Sequence, residues 1–380
     1  MESVRLKNIV KLKKGKKVDS FRTEYVDGCR RYIQIDDLRN DLNIKYTSSN
    51  GVEVKNSDVL IAWDGANAGT VGYGISGVAG STISCLEIFD RAFETAFIGK
   101  ILQSKFKLIQ ANCTGATIPH VSRDYLLNLT IPRKPLEEQK EIVQTLDTAD
   151  NLRQKRKEQL VLLDDYLKSV FLDMFGDPVA NSKQWKTVRL IDVIVRIIAG
   201  WSVTGELRPK KKDEYGVLKI SAVTYGFFQN DEYKAVKKDL VDKNLVHPLR
   251  GDILFSRANT RELVGASCLV NKDYYDLFLP DKLWKVVVNE EIVNPVFFQK
   301  TINNERFRLK LAKKATGTSG SMLNISKDKF ISEQLILPPI TMQNKFASII
   351  EQVEQTKQKM CTSLDEMDNH FNSLMQRCFR

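Results

Sequence analysis

Sulfur and imidazole are scarce in this sequence. Its 380 residues include six cysteines (Cys29, Cys85, Cys113, Cys268, Cys361, Cys378), scattered and without a CxxC spacing, and three widely separated histidines, His120, His247 and His370. That pattern argues against a zinc site or a disulfide framework and fits a reducing cytoplasm. The opening MESVRLKNIVKLKKGKK has no apolar run of the kind a signal peptide needs. No uninterrupted apolar stretch is long enough to cross a bilayer. The expectation is a soluble, cytoplasmic chain with no membrane partner.

Catalytic signatures are missing as well. A phosphate-cradling loop ends in Gly-Lys-Ser or Gly-Lys-Thr; Gly15-Lys16 and Gly99-Lys100 lack the rest of that pattern. Glycines 69, 72, 74, 77 and 80 are too evenly spaced among small residues for a dinucleotide fingerprint. Asn294-Pro295-Val296-Phe297 faintly resembles the Asn-Pro-Pro-Tyr/Phe motif of amino-methyltransferases, but it lacks the second proline and a preceding glycine-rich cofactor loop. It reads as the turn before a helix. Pro280-Asp281 has no correctly spaced acid-x-lysine downstream, so a nuclease metal site is unsupported, and no local signature assembles Ser, His and Asp. We therefore assign no catalytic, cofactor-binding or metal-ligating residue.

What is present is a long run without proline or glycine. Lys140 to Phe175 reads as one continuous helix. Its core positions step by four and three: Ile142, Leu146, Ala149, Arg153, Arg156, Leu160, Leu163, Leu167, Val170 and Met174, a heptad seam. Shifted by 204 residues (142 to 346), Phe346, Ile350, Val353, Lys357, Met360, Leu364, Met367, Phe371, Leu374 and Cys378 fill the same slots. Two matched helices, each with an apolar stripe, are expected to pair with one another. Parallel pairing would set Lys357 against Arg153. Antiparallel pairing instead sets Lys357 near Leu163, Asp164 and Asp165, and sets Arg153 and Arg156 beside Asp365 and Glu366. Opposite charges flanking a seam support a register and like charges oppose it, so antiparallel pairing is expected.

The rest of the chain repeats too. Ser3-Val4-Arg5-Leu6 returns as Thr187-Val188-Arg189-Leu190, a shift of 184 (3 to 187), so the second globular half carries 20 more residues than the first, the difference between 204 and 184. In the first half, strands are expected at Tyr32 to Ile35, Asp58 to Trp63 and Leu126 to Ile131. A turn is expected at Asn50-Gly51, a loop or hairpin region from Asp64 to Ser81, a helix from Ala92 to Ala111 with Leu108 on its apolar side, and a loop from Thr114 to His120. In the second half the counterparts are strands at Val217 to Val223, Asp252 to Ser256 and Leu335 to Leu337, a helix from Phe297 to Lys313, and the Thr-Gly loop Thr316 to Ser321. Gln139 and Gln343 open the long helices at the same offset, and Gly176-Asp177-Pro178 ends the first. The boundaries are 1–135 and 177–338 for the globular halves, and 136–176 and 339–380 for the helices. The fold class is α+β: two similar mixed α/β halves separated by two long antiparallel helices forming a coiled coil.

A formal charge of +11 and a pI near 9.2 suggest a polyanionic partner. Two similar halves with approximate two-fold symmetry match the local two-folds of duplex DNA. The helix from Lys140 to Phe175 would span about 54 Å at the helical rise of about 1.5 Å per residue. Because the halves differ in sequence, the expected target is bipartite and asymmetric with an unread gap.

The blocks LTIPRKPLEEQKEIVQTLD from Leu129 and LILPPITMQNKFASIIEQV from Leu335 each run strand, proline-rich turn, glutamine, long helix. NSDVLIAWDGANAGTVG, RGDILFSRANTRELVG, the junction MFGDPVANSKQWKTVRL and the two Thr-Gly loops recur around them. In duplicate and in this order, these segments make the whole chain similar to the type I restriction–modification specificity subunits. The resemblance implies a non-catalytic subunit with two target-recognition domains, each reading one half of a split double-stranded DNA site. It implies paired helices that set the gap and bind two methyltransferase subunits, which carry S-adenosylmethionine and methylate an adenine in each half-site. It further implies restriction subunits, motor–nucleases that use ATP and magnesium. No cofactor is expected on this chain itself. The first half departs in having Trp63-Asp64 where the second has Arg257.

Base reading needs paired donors and acceptors, arginine for guanine and asparagine or glutamine for adenine. Asn67 in the first half, and Arg257, Asn259 and Arg261 in the matching loop of the second, are the candidate readers. Asn67 is equally consistent with an asparagine tolerated in a left-handed turn, and the Arg257, Asn259 and Arg261 group with a solvated loop carrying a surface ion pair to Glu262. Lys313 and Lys314 suit phosphate contact or the end of a helix dipole; His120 and Arg123 suit phosphate contact or a structural place. Lys210-Lys211-Lys212 reads as a solvated loop. Two other classes stay open: a coiled-coil adaptor that does not bind DNA, and a fused restriction–methylation enzyme with an unrecognised active site.

Overall fold

In the computed structural model, residues 2–115, 117–241, 243–317 and 322–379 are described. The expected Thr-Gly loops therefore lie partly outside the described residues, at Ala116 and at Thr318 to Ser321. The chain divides into two compact units, unit 1 (Met1–Gln159 with Met360–Arg380) and unit 2 (Leu160–Lys359).

Unit 1 is layered as helix, sheet, sheet. An antiparallel four-stranded sheet runs in the order Val10–Lys14, Ile83–Ile88, Asp58–Ala62, Val71–Tyr73. All five residues of Asp58–Ala62 are buried, which follows from cover on both faces. Alternate side chains go to opposite sides of a strand. Val59 and Ile61 accordingly join a cluster with Phe97, Ile98 and Ile101 of helix α1 (Thr95–Ser104). Leu60 and Ala62 join a second cluster with Ile33 and Ala79. Those two belong to a second sheet, ordered Tyr46–Thr47, Arg30–Ile33, Gly77–Ala79, Val52–Val54, with a parallel pair at its centre. Helices α2 (Phe106–Ala111) and α3 (Arg123–Leu127) follow, and Thr130–Pro132 pairs back onto Ser3–Arg5.

Unit 2 repeats this plan. Its main sheet runs Ile194–Ala199, Leu283–Val288, Ile253–Ser256, Ser267–Leu269. Its second sheet has three strands, Tyr233–Lys237, Glu214–Leu218 and Leu277–Phe278, and lacks a counterpart of Val52–Val54 among the described residues. Helices α5 (Pro295–Ile302), α6 (Glu305–Lys314) and α7 (Lys327–Ile331) match α1 to α3 in order.

Several local expectations are corrected. The helix expected from Ala92 starts at Thr95 because the carbonyl of Ala92 and the amide of Glu94 are bound by Gln139 instead. It breaks after Ser104, whose hydroxyl bonds back to the Ile101 carbonyl at 2.6 Å, competing with the helical ladder. Leu108, expected on the apolar side, is exposed. The helix expected from Phe297 begins at Pro295 and is interrupted at Asn304, which caps α6 by accepting from the Arg306 amide at 3.0 Å. The strand expected over Leu126 to Ile131 is split, because Ser122 caps α3 by accepting from the Tyr125 amide; only Thr130–Pro132 is extended. Strand Arg30–Ile33 lies two residues earlier than expected, and the strand expected over Val217 to Val223 is Glu214–Leu218 followed by a 3₁₀ turn; the loop or hairpin region from Asp64 to Ser81 contains two short strands, Val71–Tyr73 and Gly77–Ala79.

The long helices are α4 (Leu136–Phe175) and α8 (Ile340–Cys378). Every one of the twenty seam positions is buried or half-buried. In unit 2, Lys357 meets Asp164 at 2.7 Å, while Phe346 packs against Phe171 and Phe175. The partner number falls as the α4 number rises, so the pair is antiparallel. In unit 1, Arg153 meets Asp368 at 2.5 Å and Asp150 at 2.7 Å, with its guanidinium 4.4 Å from the Phe371 ring. The acid is thus Asp368 rather than Asp365 or Glu366, because Asp368 lies one turn nearer on the covered face, where Asp365 and Glu366 are exposed. Burial lowers the Lys357 pKa, but Asp164 and Glu354 outweigh it and hold the ammonium above its usual value. Lys357→Glu should therefore destabilise unit 2 by about 1 kcal/mol, the scale of an exposed pair reversed. Urea unfolding should show the loss, and adding Asp164→Lys should restore most of it.

Each unit is fastened to its long helix by one glutamine. Gln139, fully buried, accepts from the Glu94 amide and donates to the carbonyls of Ala92 and Lys134, all at 2.8 Å. Gln343, fully buried, accepts from the Asn294 amide and donates to the Pro338 carbonyl, both at 2.8 Å, and to that of Ile292 at 3.4 Å. Gly176 ends α4 at φ +74°, a left-handed position where a Cβ would also meet Ser182 Oγ at 2.4 Å. Among the described residues no helix is long and apolar enough to cross a membrane.

Candidate nucleic-acid interface

In each unit the central strand of the main sheet runs into a loop that returns through a glycine. In unit 1 this loop is Trp63 to Gly69; in unit 2 it is Arg257 to Gly265, two residues longer. Gly69 (φ +93°) and Gly265 (φ +85°) take a left-handed conformation and press on Ile109 of α2 and Leu311 of α6 respectively. The glycine turns each loop sharply back into the next strand, leaving the loop's outer residues half-buried or exposed.

The backbone frame around the two loops is the same. The Trp63 amide donates to Thr82 and its carbonyl accepts from Val121; the Arg257 amide donates to Lys282 and its carbonyl accepts from Ile325. Thr114 and Asp64 bridge to His120 as Thr316 and Ala258 bridge to Asn324. Trp63 and Arg257, Asp64 and Ala258, and His120 and Asn324 therefore hold equivalent places, and in each pair the side chains differ.

In unit 1, His120 Nδ1 is 2.6 Å from Asp64 Oδ1, and Lys14 Nζ lies 3.5 Å from the other oxygen. Asn67 does not stand alone: its side-chain oxygen accepts from Arg39 Nη2 at 2.5 Å. Arg123 is the exposed first residue of α3. His120 and Asn67 share the loop frame, while Arg123 lies just past it.

In unit 2, Arg257 is half-buried. Its Nε donates to the Asp281 carbonyl at 3.1 Å and its Nη2 lies 3.8 Å from the Asp281 carboxylate, which Ser202 also engages. Asn259 Oδ1 accepts from the next amide, Thr260, at 2.9 Å. Arg261 is exposed in the two-residue extension. The Glu262 carboxyl beside it is held below its usual range first by its own backbone amide, then by the Thr260 hydroxyl, with a smaller contribution from Arg261. Lys313 is exposed, whereas Lys314 pairs with Glu333, which is 1% exposed and is also met by Lys310 at 2.8 Å. Burial pushes the Glu333 carboxyl up, but the two ammonium groups outweigh it and hold it low. Both lysines are exposed, and Lys314 is in addition held by an ion pair to Glu333.

Asn294 caps α5, accepting from the amides of Val296 and Phe297, with Pro295 at the first helical position. That accounts for the Asn-Pro-Val-Phe sequence as a helix start. Among the described residues no three His, Cys, Asp or Glu side chains come together as a metal site.

Three residues at these frames escaped the sequence reading: Arg39, Asp64 and Asn324. Arg39 is 28 residues from Asn67, with no local signal linking them. Asn324 did carry a signal, since it lies 204 residues after His120, the offset that relates the long helices.

The profile of the family described as Type I restriction modification DNA specificity domain matches the chain twice, over residues 1–162 and 182–365. The specificity subunit of the type I restriction enzyme MjaVIII from Methanocaldococcus jannaschii is 26% identical over 372 residues, 93% of this chain and 86% of that protein. The EcoKI specificity subunit of Escherichia coli K12 is 25% identical over 295 residues, 74% of this chain and 62% of that one. Among solved structures, the type I restriction–modification S subunit from M. genitalium aligns with a TM-score of 0.56 at 15% identity, over 100% of this chain and 96% of that chain. A chain solved in work on complex assembly and conformational transition of the type I system aligns with a TM-score of 0.63 at 15% identity, over 100% and 97%. These two structural likenesses show a shared fold.

Proposed function

Because the chain belongs to the type I restriction modification DNA specificity family, we propose that each of its units reads one half of a bipartite, asymmetric site in duplex DNA. Specificity subunits are the non-catalytic members of type I systems, and this chain works with other subunits of such a system. The finer proposal is that two methyltransferase subunits dock on the paired helices, that restriction subunits join through them, and that the helix pair acts as the ruler between half-sites.

The observation that carries this reading is the frame that occurs twice with different side chains. A protein built to read two different half-sites needs one scaffold and two sets of base-edge contacts. Asn67 with Arg39, His120 with Asp64, and Arg257, Asn259 and Arg261 supply donors and acceptors at that frame; Arg123, Lys313 and Lys314 supply positive charge near it. The overall charge of +11 suits the phosphate backbone. The subunit's part is to bind, read and position, so that a partner can flip its adenine.

The test is single-molecule methylome sequencing of host cells with and without this chain. The expected result is a split adenine-methylation motif, two unlike half-sites around a fixed gap, present only with the chain. Absence of any chain-dependent motif while the partner methyltransferase is expressed would overturn the reading. So would methyl transfer by this chain alone.

A further inference from the structure

We infer that Asn324 determines specificity in unit 2 by reading an adenine edge, at the position that His120 holds in unit 1. The inference rests on the proposed DNA reading and goes beyond it by assigning a residue and a base.

The backbone of Asn324 is fully used by the frame. Its amide donates to the Thr316 carbonyl at 2.8 Å, its carbonyl accepts from the Thr316 amide at 2.9 Å, and it pairs with Ala258 in a short ribbon. Its side chain is not used in this way. It is half-buried, and no described residue exchanges a hydrogen bond with its amide. Asn259, in the same ribbon, contrasts with it: its side-chain oxygen is taken by the Thr260 amide. The equivalent of Asn324 in unit 1 is also different, since His120 is oriented by Asp64. In unit 2 the Asp64 position is Ala258, which is fully buried and offers no acceptor.

The Asn324 side chain is placed by its backbone, exchanges no hydrogen bond with any described residue, and stands where unit 1 has histidine, so among the described residues it is available to a ligand. Its chemistry fits a purine edge: one amide nitrogen donates and one oxygen accepts, the complement of adenine N7 and N6. Arg257 flanks the same ribbon, its carbonyl accepting from the amide of Ile325, the residue after Asn324. The two side chains are therefore presented by neighbouring backbone.

The experiment is methylome sequencing with the intact complex carrying wild-type chain, Asn324→Ala or Asn324→Asp. The aspartate variant keeps the shape and removes the donor. The expected result is that one position in one half-site, an A·T pair in the wild-type motif, loses about tenfold or more of its discrimination, while the other half-site and the gap stay as they were. An unchanged motif with both variants would overturn the inference while leaving the bipartite reading intact. Relaxation at a G·C pair would overturn the adenine assignment. A uniform loss of binding across all sequences, with a shallower salt dependence, would make Asn324 a backbone contact and overturn its role as a reader. If even the wild-type chain produces no split motif, it is the underlying DNA reading that fails.

Discussion

Phe346→Ala should destabilise unit 2 by about 3–5 kcal/mol, the cost of emptying a large aromatic site in a packed core. Phe346 is 1% exposed and sits at 5.6 Å from the Phe171 ring and 5.3 Å from that of Phe175, both edge-on. Phe297 of α5 stacks on Phe171 and meets Phe175 edge-on, so the three helices share one aromatic cluster. The cavity would open where α4, α8 and α5 all need contact, and none of the rings can move into it without leaving another partner. Urea unfolding followed by a probe in unit 2 is the measurement. Ile142 occupies the same seam slot in α4 and is only half-buried; Ile142→Ala should cost about 2 kcal/mol, the lower end for truncating an aliphatic side chain to alanine. Equal losses at the two positions would mean that the aromatic cluster adds nothing beyond ordinary seam packing.

Gln343→Leu is the second large effect, expected at about 3–5 kcal/mol. The substitution keeps the volume but removes one acceptor and two donated bonds. It leaves the Asn294 amide and the carbonyls of Pro338 and Ile292 without that partner. A buried group left unpaired costs about 1–3 kcal/mol, and more than one is stranded here. Gln343→Glu distinguishes packing from hydrogen bonding. It retains an acceptor for Asn294 but can donate only if protonated, so it should also destabilise strongly at neutral pH. A leucine variant as stable as wild type would show that water replaces the glutamine at no cost. Gln139→Leu should behave in the same way in unit 1, since all three of its bonds are 2.8 Å long.

The large-scale fold was legible because its signals are repetitive. Forty residues without proline or glycine and a sustained four-three spacing specify α4, and a second copy of the seam identifies its partner. The charge pattern selected the antiparallel direction, which the Lys357–Asp164 contact satisfies. Smaller elements were harder. The start of α1 depends on Gln139, 45 residues from the Glu94 amide it captures, and no local propensity carries that information. Over Leu126 to Ile131 a short apolar run suits both strand and helix, and the capping Ser122 decides.

At the candidate site, sequence pointed to the two matching loops but not to the state of each side chain. Arg257, Asn259 and Arg261 are adjacent in sequence, yet Arg257 is held by Asp281, Asn259 by its neighbour's amide, and Arg261 is exposed. Lys313 and Lys314 look interchangeable until Glu333, nearly twenty residues on, engages one of them. These assignments are tertiary, and a single sequence without a partner for each polar group cannot supply them.

The ribbon that joins Ala258–Asn259 to Leu323–Asn324 draws its cohesion from backbone pairing, from the buried Ala258 methyl group and from Leu323, which packs against the core; the Asn324 side chain is not part of that packing. Exchanging a half-exposed side chain on it should alter folding free energy by no more than about 0.5 kcal/mol. Where that side chain reads a base edge, as proposed, exchanging its hydrogen-bonding pattern would shift discrimination by about 1–3 kcal/mol. On the proposed reading, target choice and stability vary almost independently at this place: single substitutions that the folded state scarcely registers would move the chain to new DNA sequences, and drift in specificity would need no compensating repair of the core.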